Sequence, residues 1–408
     1  MFLEKEIVIL GGGMVGLSLA KQLIERKISK NIIIVDKEKS LGMHTSGRNS
    51  GVLHAGIYYP PDTLKAKVSV EGSIRLKSWI KQKNLSINNC GKIIIPTKIN
   101  QDKQLDLLKE RGEKNGAKVK FINEKEIKEK VPMARSASGR GLWSPNTSVV
   151  NPKAILFELQ RDLTKQKVKF ILGNKIQNIN PNNREIELSN NIKINYQYLF
   201  NCTGLNSDRI ARYFSIGANY TLLPFKGLYW KLKRSSSIKI QTNLYPVPDL
   251  SVPFLGVHFT PSGDGLNNIS IGPTAVPSWG RENYRGVKGF EPLMSIKNLS
   301  ILAKQYISNK NGFRGYVHKQ SLQSLSPIFL KSAKELIPEI KFSDIEESDK
   351  VGIRAQLFNL KEMKLEDDFI CLNTKESCHV LNAISPAFTA SFALADLIIN
   401  RSTLLSKK

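Results

Sequence analysis

The sequence predicts an α/β fold in which a Rossmann-like domain is interrupted by a second domain built on a β-sheet. Three observations support this prediction. An apolar strand, a glycine-rich turn and a helix open the chain. Strand and helix patterns that fit the same domain return twice later in the chain. Finally, 408 residues exceed the size of one ordinary hydrophobic core.

The N-terminal unit has the spacing of a dinucleotide-binding motif. The strand Ile7–Leu10 runs directly into a Gly-rich turn, in which Gly11 permits the tight bend and Gly13 lets the backbone approach a pyrophosphate. Gly16 lets the following helix pack closely on the strand, and the helix N-terminus attracts phosphate. A second strand ends at Asp36, whose carboxylate is placed to bind a ribose and disfavours a 2′-phosphate.

Later patterns define the two domains. Predicted helices cover 63–81, 101–115, 151–167 and 385–400, and predicted strands include 168–172, 185–188, 196–202, 369–372 and 379–382. Residues 222–273 are rich in strand patterns. We therefore assign residues 1–82, 145–217 and 345–408 to the nucleotide-binding domain, and residues 83–144 and 218–344 to the second domain.

The strongest compositional anomaly is a formal net charge of +26. Such a charge favours anionic partners: a small di-acid, an anionic membrane surface or nucleic acid. The charge is spread along the chain without a compact basic block, so an ordinary solvated surface is an equal alternative.

Cysteine and histidine patterns give no support for a metal site. The four cysteines form no C-x-x-C pair, which fits a reducing compartment, and the five histidines form no H-E-x-x-H pattern. No apolar run approaches the roughly 20 residues that span a bilayer, and charged residues directly precede the first strand. We therefore expect a cytoplasmic protein.

Several segments resemble one family of enzymes. They are 49–59, 64–67, 90–92, 245–249, 253–258, 281–285, 352–356 and 385–387. These segments are similar to those of L-2-hydroxyglutarate dehydrogenases, flavoproteins of the D-amino-acid-oxidase superfamily. The order of the elements alone leaves flavin and nicotinamide open, whereas the resemblance implies FAD. It also implies an α+β substrate domain whose β-sheet faces the flavin ring.

The glycine pattern and the resemblance together give a set of expected cofactor-binding residues. These are Gly11, Gly13, Met14, Val15, Gly16, Asp36, Lys37, Thr45, Ser46, Asn49, Ser50, Gly51, Thr203, Gly204, Gly352, Ser385, Pro386 and Ala387. The chain also departs from the family pattern. Arg48 replaces a usual His, Lys226 and Leu228 replace Arg and Glu of an Arg-Gly-Glu segment, Thr274 replaces Asn, and Ile384 replaces Pro. These changes bear on which 2-hydroxy acid is the substrate.

The resemblance also suggests the chemical roles. A 2-hydroxy acid loses hydride to flavin and its hydroxyl proton to a base, for which His54 is the first candidate and His258 the competitor. Arg354 is the expected carboxylate clamp, because a guanidinium matches a carboxylate in two hydrogen bonds. Lys226, Tyr245 and Arg281 are unranked candidates for the distal carboxylate.

The expected activity is FAD-dependent oxidation of L-2-hydroxyglutarate or a close 2-hydroxy acid, with a quinone or oxygen as electron acceptor. An amino-acid or amine oxidase and a glycerol-phosphate-type dehydrogenase are alternatives within the superfamily. A tRNA-acting flavoprotein is an alternative of another class, although no aromatic-interleaved basic patch supports nucleic-acid binding. Peripheral contact with an anionic membrane is a further expectation from the charge.

Overall fold

A computed structural model of the chain describes residues 2–250, 255–265, 268–309, 314–315 and 326–405, with side chains from residue 6 onward. Pro253 and Phe254 of the motif at 253–258 lie outside the described residues. Within the described part of the chain, no helix combines the length and apolar character needed to cross a bilayer.

The strands and helices are numbered in chain order. The strands are β1 (Phe2–Leu10), β2 (Ile32–Asp36), β3 (Val52–Leu53), β4 (Ile87–Asn88), β5 (Lys92–Ile95), β6 (Lys120–Asn123), β7 (Arg140–Ser144), β8 (Ser148–Val150), β9 (Lys169–Leu172), β10 (Ile176–Asn180), β11 (Glu185–Leu188), β12 (Lys193–Asn201), β13 (Tyr220–Leu222), β14 (Phe225–Leu232), β15 (Asn243–Pro246), β16 (His258–Pro261), β17 (Ile269–Gly272), β18 (Val276–Pro277), β19 (Ile345–Arg354), β20 (Leu357–Asn359), β21 (Lys364–Leu365), β22 (Ile370–Asn373) and β23 (Ser377–Asn382). The helices are α1 (Met14–Glu25), α2 (Leu64–Gln82), α3 (Asp102–Lys114), α4 (Glu124–Lys130), α5 (Pro152–Lys165), α6 (Ser207–Tyr213), α7 (Pro292–Ser308), α8 (Ser326–Lys334) and α9 (Ala387–Arg401).

The first large sheet forms the core of the nucleotide-binding domain. Its strands follow the order β10-β11-β12-β1-β2-β9, and β23 pairs with β12 and β22. Strands β1, β2, β9, β12 and β23 run parallel, so their carboxyl ends meet at one edge, where ligands bind in open α/β sheets. Helices α1, α2, α5 and α9 cover one face in a single apolar cluster.

A close approach between α2 and α9 holds this helical layer together. A Cβ atom built on Gly72 of α2 would lie 2.5 Å from Cα of Ala390 in α9, so only glycine fits there. The rings of Trp79 and Phe392 meet edge to face across the same pair of helices, with centroids 5.9 Å apart. This packing fixes the start of α9 near the carboxyl edge of the first sheet.

The second large sheet follows the order β18-β14-β17-β16-β15-β5-β7-β6, with β19 paired to β14. One face packs on α8 through an apolar cluster in which the rings of Trp230 and Phe329 stack with centroids 3.7 Å apart. The opposite face turns toward the nucleotide-binding domain. The predicted α/β fold with an interrupting β-sheet domain is therefore what the structure shows.

One predicted domain boundary requires correction. Residues 345–354 were assigned to the nucleotide-binding domain, yet they form β19, which is hydrogen-bonded to β14 along the second sheet. The return to the first sheet comes only with β22 and β23. The residue pattern of β19 does not indicate which sheet the strand joins, because strands of both large sheets contain buried apolar residues.

Candidate active site

Two connected cavities lie at the carboxyl edge of the first sheet. The glycine-loop cavity is lined by the turn after β1, the ends of β2 and β12, Ser40 and residues 42–46. The inter-sheet cavity is lined by residues from both domains, including seven residues between Thr45 and His54, the strand β14, the end of β19 and the start of α9. Thr45 and Ser46 line both cavities, so the two are contiguous.

The glycine-loop cavity has the features that bind a dinucleotide. Gly11 has φ of +101° and leaves no room for a Cβ, which would lie 2.4 Å from the carbonyl oxygen of Cys202. The Asp36 carboxylate accepts hydrogen bonds from Gly12 N at 2.8 Å and Glu38 N at 2.9 Å, which ties the loop to β2. Helix α1 begins at Met14, so the positive end of its dipole lies at this loop.

A charged cluster closes the outer side of the glycine-loop cavity. Glu38, His44 and Glu282 bring three possible metal ligands within 4.8 Å of one another. The Lys37 ammonium already lies between the two carboxylates, 2.6 Å from Glu38 Oε1 and 2.7 Å from Glu282 Oε1. Burial lowers the pKa of Lys37, but these hydrogen bonds outweigh burial and raise it overall. The positive charge between the two carboxylates is therefore supplied by Lys37, whose ammonium group joins the two domains.

Two neutral histidines line the inter-sheet cavity. His258 Nδ1 lies 2.8 Å from the Gly256 carbonyl oxygen and donates to it, which leaves Nε2 as the proton-accepting nitrogen. Burial lowers the pKa of His258 to about 3. Burial, followed by the nearby cationic groups of Lys92 and Arg354, lowers the pKa of His54 well below its ordinary value.

His54 is held by the start of α9. Its backbone N–H donates to Thr389 Oγ1 at 3.1 Å, and its Nε2 lies 3.4 Å from Ser385 Oγ. Within the described residues, the buried Nδ1 has no hydrogen-bond partner. A buried polar atom without a partner in a cavity wall is suited to meeting a ligand.

The cations in the cavity wall are arginines. Arg354 ends β19 and lies close enough to His54 to lower the pKa of that histidine. Arg48 packs its guanidinium over the Tyr284 ring, 4.2 Å from the ring centre, and donates to the Met43 carbonyl at 2.6 Å. Among the described residues that line this cavity there is no Asp or Glu. The wall therefore favours a negatively charged ligand.

Helix α9 adds a further positive feature. Residues 383–389 line the inter-sheet cavity, and the 15-residue helix Ala387–Arg401 starts there. Its dipole is positive at this end and stabilises negative charge in the cavity. Predicted residues Ser385, Pro386 and Ala387 thus lie at the cavity.

The structure brings most predicted cofactor residues to the two cavities. Gly11, Gly13, Asp36, Lys37, Thr203 and Gly204 line the glycine-loop cavity, Met14, Val15, Asn49, Ser50 and Gly352 line the inter-sheet cavity, and Thr45 and Ser46 line both. Gly16 and Gly51 line neither. A Cβ on Gly16 would lie 2.0 Å from Gly11 O, and one on Gly51 would lie 2.2 Å from Val150 O, so both glycines serve backbone packing.

Two predicted substrate contacts are not brought to the inter-sheet cavity. Arg281 lies in the wall of the glycine-loop cavity, where NH1 and NH2 bind Asp208 at 2.6 and 2.9 Å in a buried bidentate ion pair. Lys226 donates to Asn283 Oδ1 at 3.1 Å, because it points to the opposite face of β14 from its neighbours Phe225 and Gly227. Neither placement supports a contact with the distal carboxylate. Tyr245, in contrast, lines the cavity.

The cavity has an aromatic wall formed by Tyr229 and Tyr245, of which sequence reasoning named Tyr245 and missed Tyr229. Tyr229 lines the cavity from β14, and the ring of Tyr245 stacks on His258 with centroids 3.8 Å apart and an interplanar angle of 16°. Thr274 and Ile384, two of the departures from the family pattern, also line the inter-sheet cavity. Thr274 Oγ1 accepts a hydrogen bond from Leu228 N at 3.1 Å. Alternation along β14 was the available signal for Tyr229, but it required knowing which face of the strand meets the cavity.

These features define the class of protein: a dinucleotide-binding protein with a second cavity suited to an acidic ligand. A family model described as FAD dependent oxidoreductase matches residues 6–401. The chain therefore belongs to the family of FAD-dependent oxidoreductases. The cofactor is FAD, and the glycine loop, Asp36 and the start of α1 fit its ADP half because the site offers backbone donors and no space for larger side chains.

Relatives and solved structures agree with this assignment. The L-2-hydroxyglutarate dehydrogenase of Homo sapiens is 35% identical over 96% of this chain and 87% of its own length. The L-2-hydroxyglutarate dehydrogenase of Escherichia coli strain K12 is 28% identical over 99% and 94%. The FAD-bound L-α-glycerophosphate oxidase of Mycoplasma pneumoniae has the same fold, with a TM-score of 0.73, 19% identity and coverage of 99% and 95%.

We expect replacement of Asp36 to weaken FAD binding. Asp36→Ala removes the acceptor for Gly12 N and Glu38 N, so the affinity for FAD should fall about tenfold or more, as measured by reconstitution of apoprotein. Asp106→Ala, which removes a carboxylate paired with Arg140 on the surface of the other domain, is the control. Equal affinity of both variants for FAD would contradict this role of Asp36.

Proposed function

We propose that this protein oxidises L-2-hydroxyglutarate to 2-oxoglutarate with FAD as its cofactor. The activity named for relatives that match nearly the whole chain supports the substrate. The observation that carries the proposal is the inter-sheet cavity, whose described wall combines Arg354 with two neutral histidines and contains no carboxylate. Such a wall attracts an acid and can accept a proton.

The chemistry that bound FAD supplies is the acceptance of a hydride from the substrate carbon that bears the hydroxyl group. The protein contributes binding and orientation. Arg354 is placed to bind the carboxylate next to that carbon, and a guanidinium holds a carboxylate in a defined plane. The aromatic wall of Tyr229 and Tyr245 limits the space around the reacting carbon and reduces access of water.

A neutral histidine accepts the hydroxyl proton. Burial keeps both His54 and His258 neutral at neutral pH, so each has a lone pair to offer. The negative charges of a bound di-acid raise the pKa of a neighbouring histidine, which favours proton transfer when substrate is present. His54 stays the first candidate, because its buried Nδ1 lacks a partner among the described residues and because it belongs to the segment 49–59 that resembles the enzyme family. His258, whose Nε2 can accept a proton, stays the competitor.

The same wall disfavours the alternatives. An amino acid or amine brings an ammonium group, for which the described wall of the cavity supplies no carboxylate as counter-ion. The relatives also give no support to a glycerol-phosphate-type dehydrogenase or a tRNA-acting flavoprotein, since those of Homo sapiens and Escherichia coli are named L-2-hydroxyglutarate dehydrogenases.

The function is tested by anaerobic titration of the FAD-loaded protein with L-2-hydroxyglutarate. We expect the flavin absorbance to bleach with this acid, and not with its D enantiomer or with L-glutamate. Bleaching by L-glutamate alone would overturn the proposal. Arg354→Met should raise the concentration needed for half-maximal bleaching at least tenfold, because a charge-assisted bidentate contact is lost. Arg140→Met, an exposed arginine of the second domain, is the control.

Replacement of the two histidines should separate their roles. His54→Gln should slow flavin reduction by L-2-hydroxyglutarate about a hundredfold or more, since a base contributes that much to the rate. His258→Gln should have a smaller effect. Stopped-flow measurement of flavin reduction gives both rates, and the opposite order of effects would assign the base to His258.

We further propose that the enzyme works in the cytoplasm, peripherally bound to an anionic membrane, and that a membrane quinone accepts its electrons, with oxygen as the alternative. Helix α7 supports membrane contact. Its outer face exposes Leu293 (86%) and Ile296 (66%), with the exposed Lys297 and Lys304 beside them. Apolar residues flanked by lysines suit a helix that lies in the interface of an anionic bilayer.

Vesicle sedimentation tests the membrane proposal. The protein should sediment with phosphatidylglycerol vesicles at low salt and not with phosphatidylcholine vesicles. The double variant Leu293→Glu, Ile296→Glu should bind at least tenfold more weakly, because insertion of two apolar side chains is lost. Phe157→Glu on α5, where the native side chain is equally exposed at 66%, should bind as the wild type does. Unchanged binding of the double variant would exclude α7 as the contact.

A further inference from the structure

Lys92 is a fully buried lysine that has no acidic partner among the described residues. Its side chain lies at 0% exposure at the start of β5, yet among the described residues no salt bridge joins it to a carboxylate. Burial of an ammonium group is costly, and buried charges are normally paired. Because Lys92 lies beside the inter-sheet cavity, its positive charge can act on a ligand bound there.

The register of three neighbouring strands places Lys92 behind the aromatic wall. Strand β15 lies between β5 and β16, and the pairings put Lys92, Tyr245 and His258 on the same face of the sheet. Lys92 Nζ lies 4.1 Å from the centre of the Tyr245 ring, and the His258 ring stacks on that ring from the neighbouring strand. Tyr245 and His258 line the cavity, whereas Lys92 stands one layer behind them.

Lysines lie behind other tyrosines of this region as well. Lys350 Nζ lies 5.1 Å from the Tyr229 ring centre, and Lys65 Nζ lies 5.8 Å from that of Tyr59. Lys65 differs from Lys92, because Asp367 and Asp368 act on its charge. The layer behind the wall is therefore positive, and Lys92 is its fully buried member without a described acid to balance it.

We propose that Lys92 is a positioning residue that sets specificity: from behind Tyr245 it supplies positive charge that makes the cavity prefer a dianionic 2-hydroxy acid to a monoanionic one of equal length. The inference rests on the proposed function and adds to it the residue that recognises the second negative charge. The physical reason is that a charge acts strongly across one ring in a low-dielectric interior, even without direct contact.

The charge of Lys92 changes near neutral pH, whereas the groups that face Lys92 keep their charge state there. Burial lowers the pKa of Lys92 to about 7. Burial raises the pKa of Cys90, two residues before Lys92, and of Tyr58 and Tyr245. Burial lowers the pKa of His54 and His258, so all five groups stay neutral near neutral pH. Burial also lowers the pKa of Lys65 and Lys350 to about 8. Loss of positive charge on raising the pH should weaken the preference for a dianion.

The test compares L-2-hydroxyglutarate with L-2-hydroxyglutaramate, whose far end is an uncharged amide. In Lys92→Met the ratio of the two kcat/KM values should fall about tenfold, mainly through KM for the dianion. Lys130→Met is the matched control, because Lys130 makes a cation–π contact of similar length, 4.2 Å, with Trp143 away from the cavity. It should leave the ratio unchanged.

The pH dependence provides a second readout. In the wild type the ratio should decline as the pH rises from about 6 to 8.5, because Lys92 loses its proton in this range. Lys92→Arg should keep the ratio high to a higher pH, since arginine stays charged. Any decline of the ratio that remains in Lys92→Arg measures the loss of protons from Lys65 and Lys350.

The measurements distinguish an electrostatic role of Lys92 from a role in packing alone. An equal loss of kcat/KM for both substrates in Lys92→Met would overturn the proposal. If that variant does not bind FAD, the Lys92→Arg profile decides, and a decline identical to the wild type overturns it. Binding of glutarate and glutaramate to the oxidised holoenzyme, followed by the flavin spectrum, tests the same preference without turnover. This binding measurement gives the preference for a dianion even if L-2-hydroxyglutarate is not oxidised. A failure to oxidise L-2-hydroxyglutarate would refute the proposed function and not the role of Lys92.

Discussion

The antiparallel register of β14 and β19 is the constraint on which the inter-sheet cavity depends. It sets Gly227 opposite Gly352 and Phe225 opposite Arg354. A Cβ on Gly352 would lie 2.9 Å from the Arg48 carbonyl oxygen, so the backbone of the two domains meets closely here. A slip of one residue would turn Arg354 to the other face of the sheet. The position of the guanidinium therefore follows from the ladder of backbone hydrogen bonds between two strands that lie far apart in sequence.

Local patterns predicted much of the fold and of the cofactor site. The helices expected at 63–81, 101–115, 151–167 and 385–400 occur at Leu64–Gln82, Asp102–Lys114, Pro152–Lys165 and Ala387–Arg401. The glycines of the first turn and Asp36 were equally predictable, because strand, turn and helix all lie within about 30 residues. Helices α7 and α8 and strand β10 were not predicted.

The failures arose where the decisive partner is distant in the chain. Arg281 belongs to a segment that resembles the enzyme family, but Asp208, from α6, binds its guanidinium. The direction of Lys226 depends on which face of β14 meets the cavity, and a single strand cannot reveal that. The assignment of β19 to a sheet depends likewise on pairing with β14. Pairing over such separations is not encoded in any short pattern.

The chain passes between the two large sheets four times, since strands of the first sheet alternate with strands of the second along the sequence. A domain joined by one flexible tether can swing open, but four crossings restrict rotation to small angles. Substrate exchange must then rely on adjustments of loops at the cavity mouth. The same threading means that neither half is a modular piece which truncation or gene fusion could transfer intact to another protein.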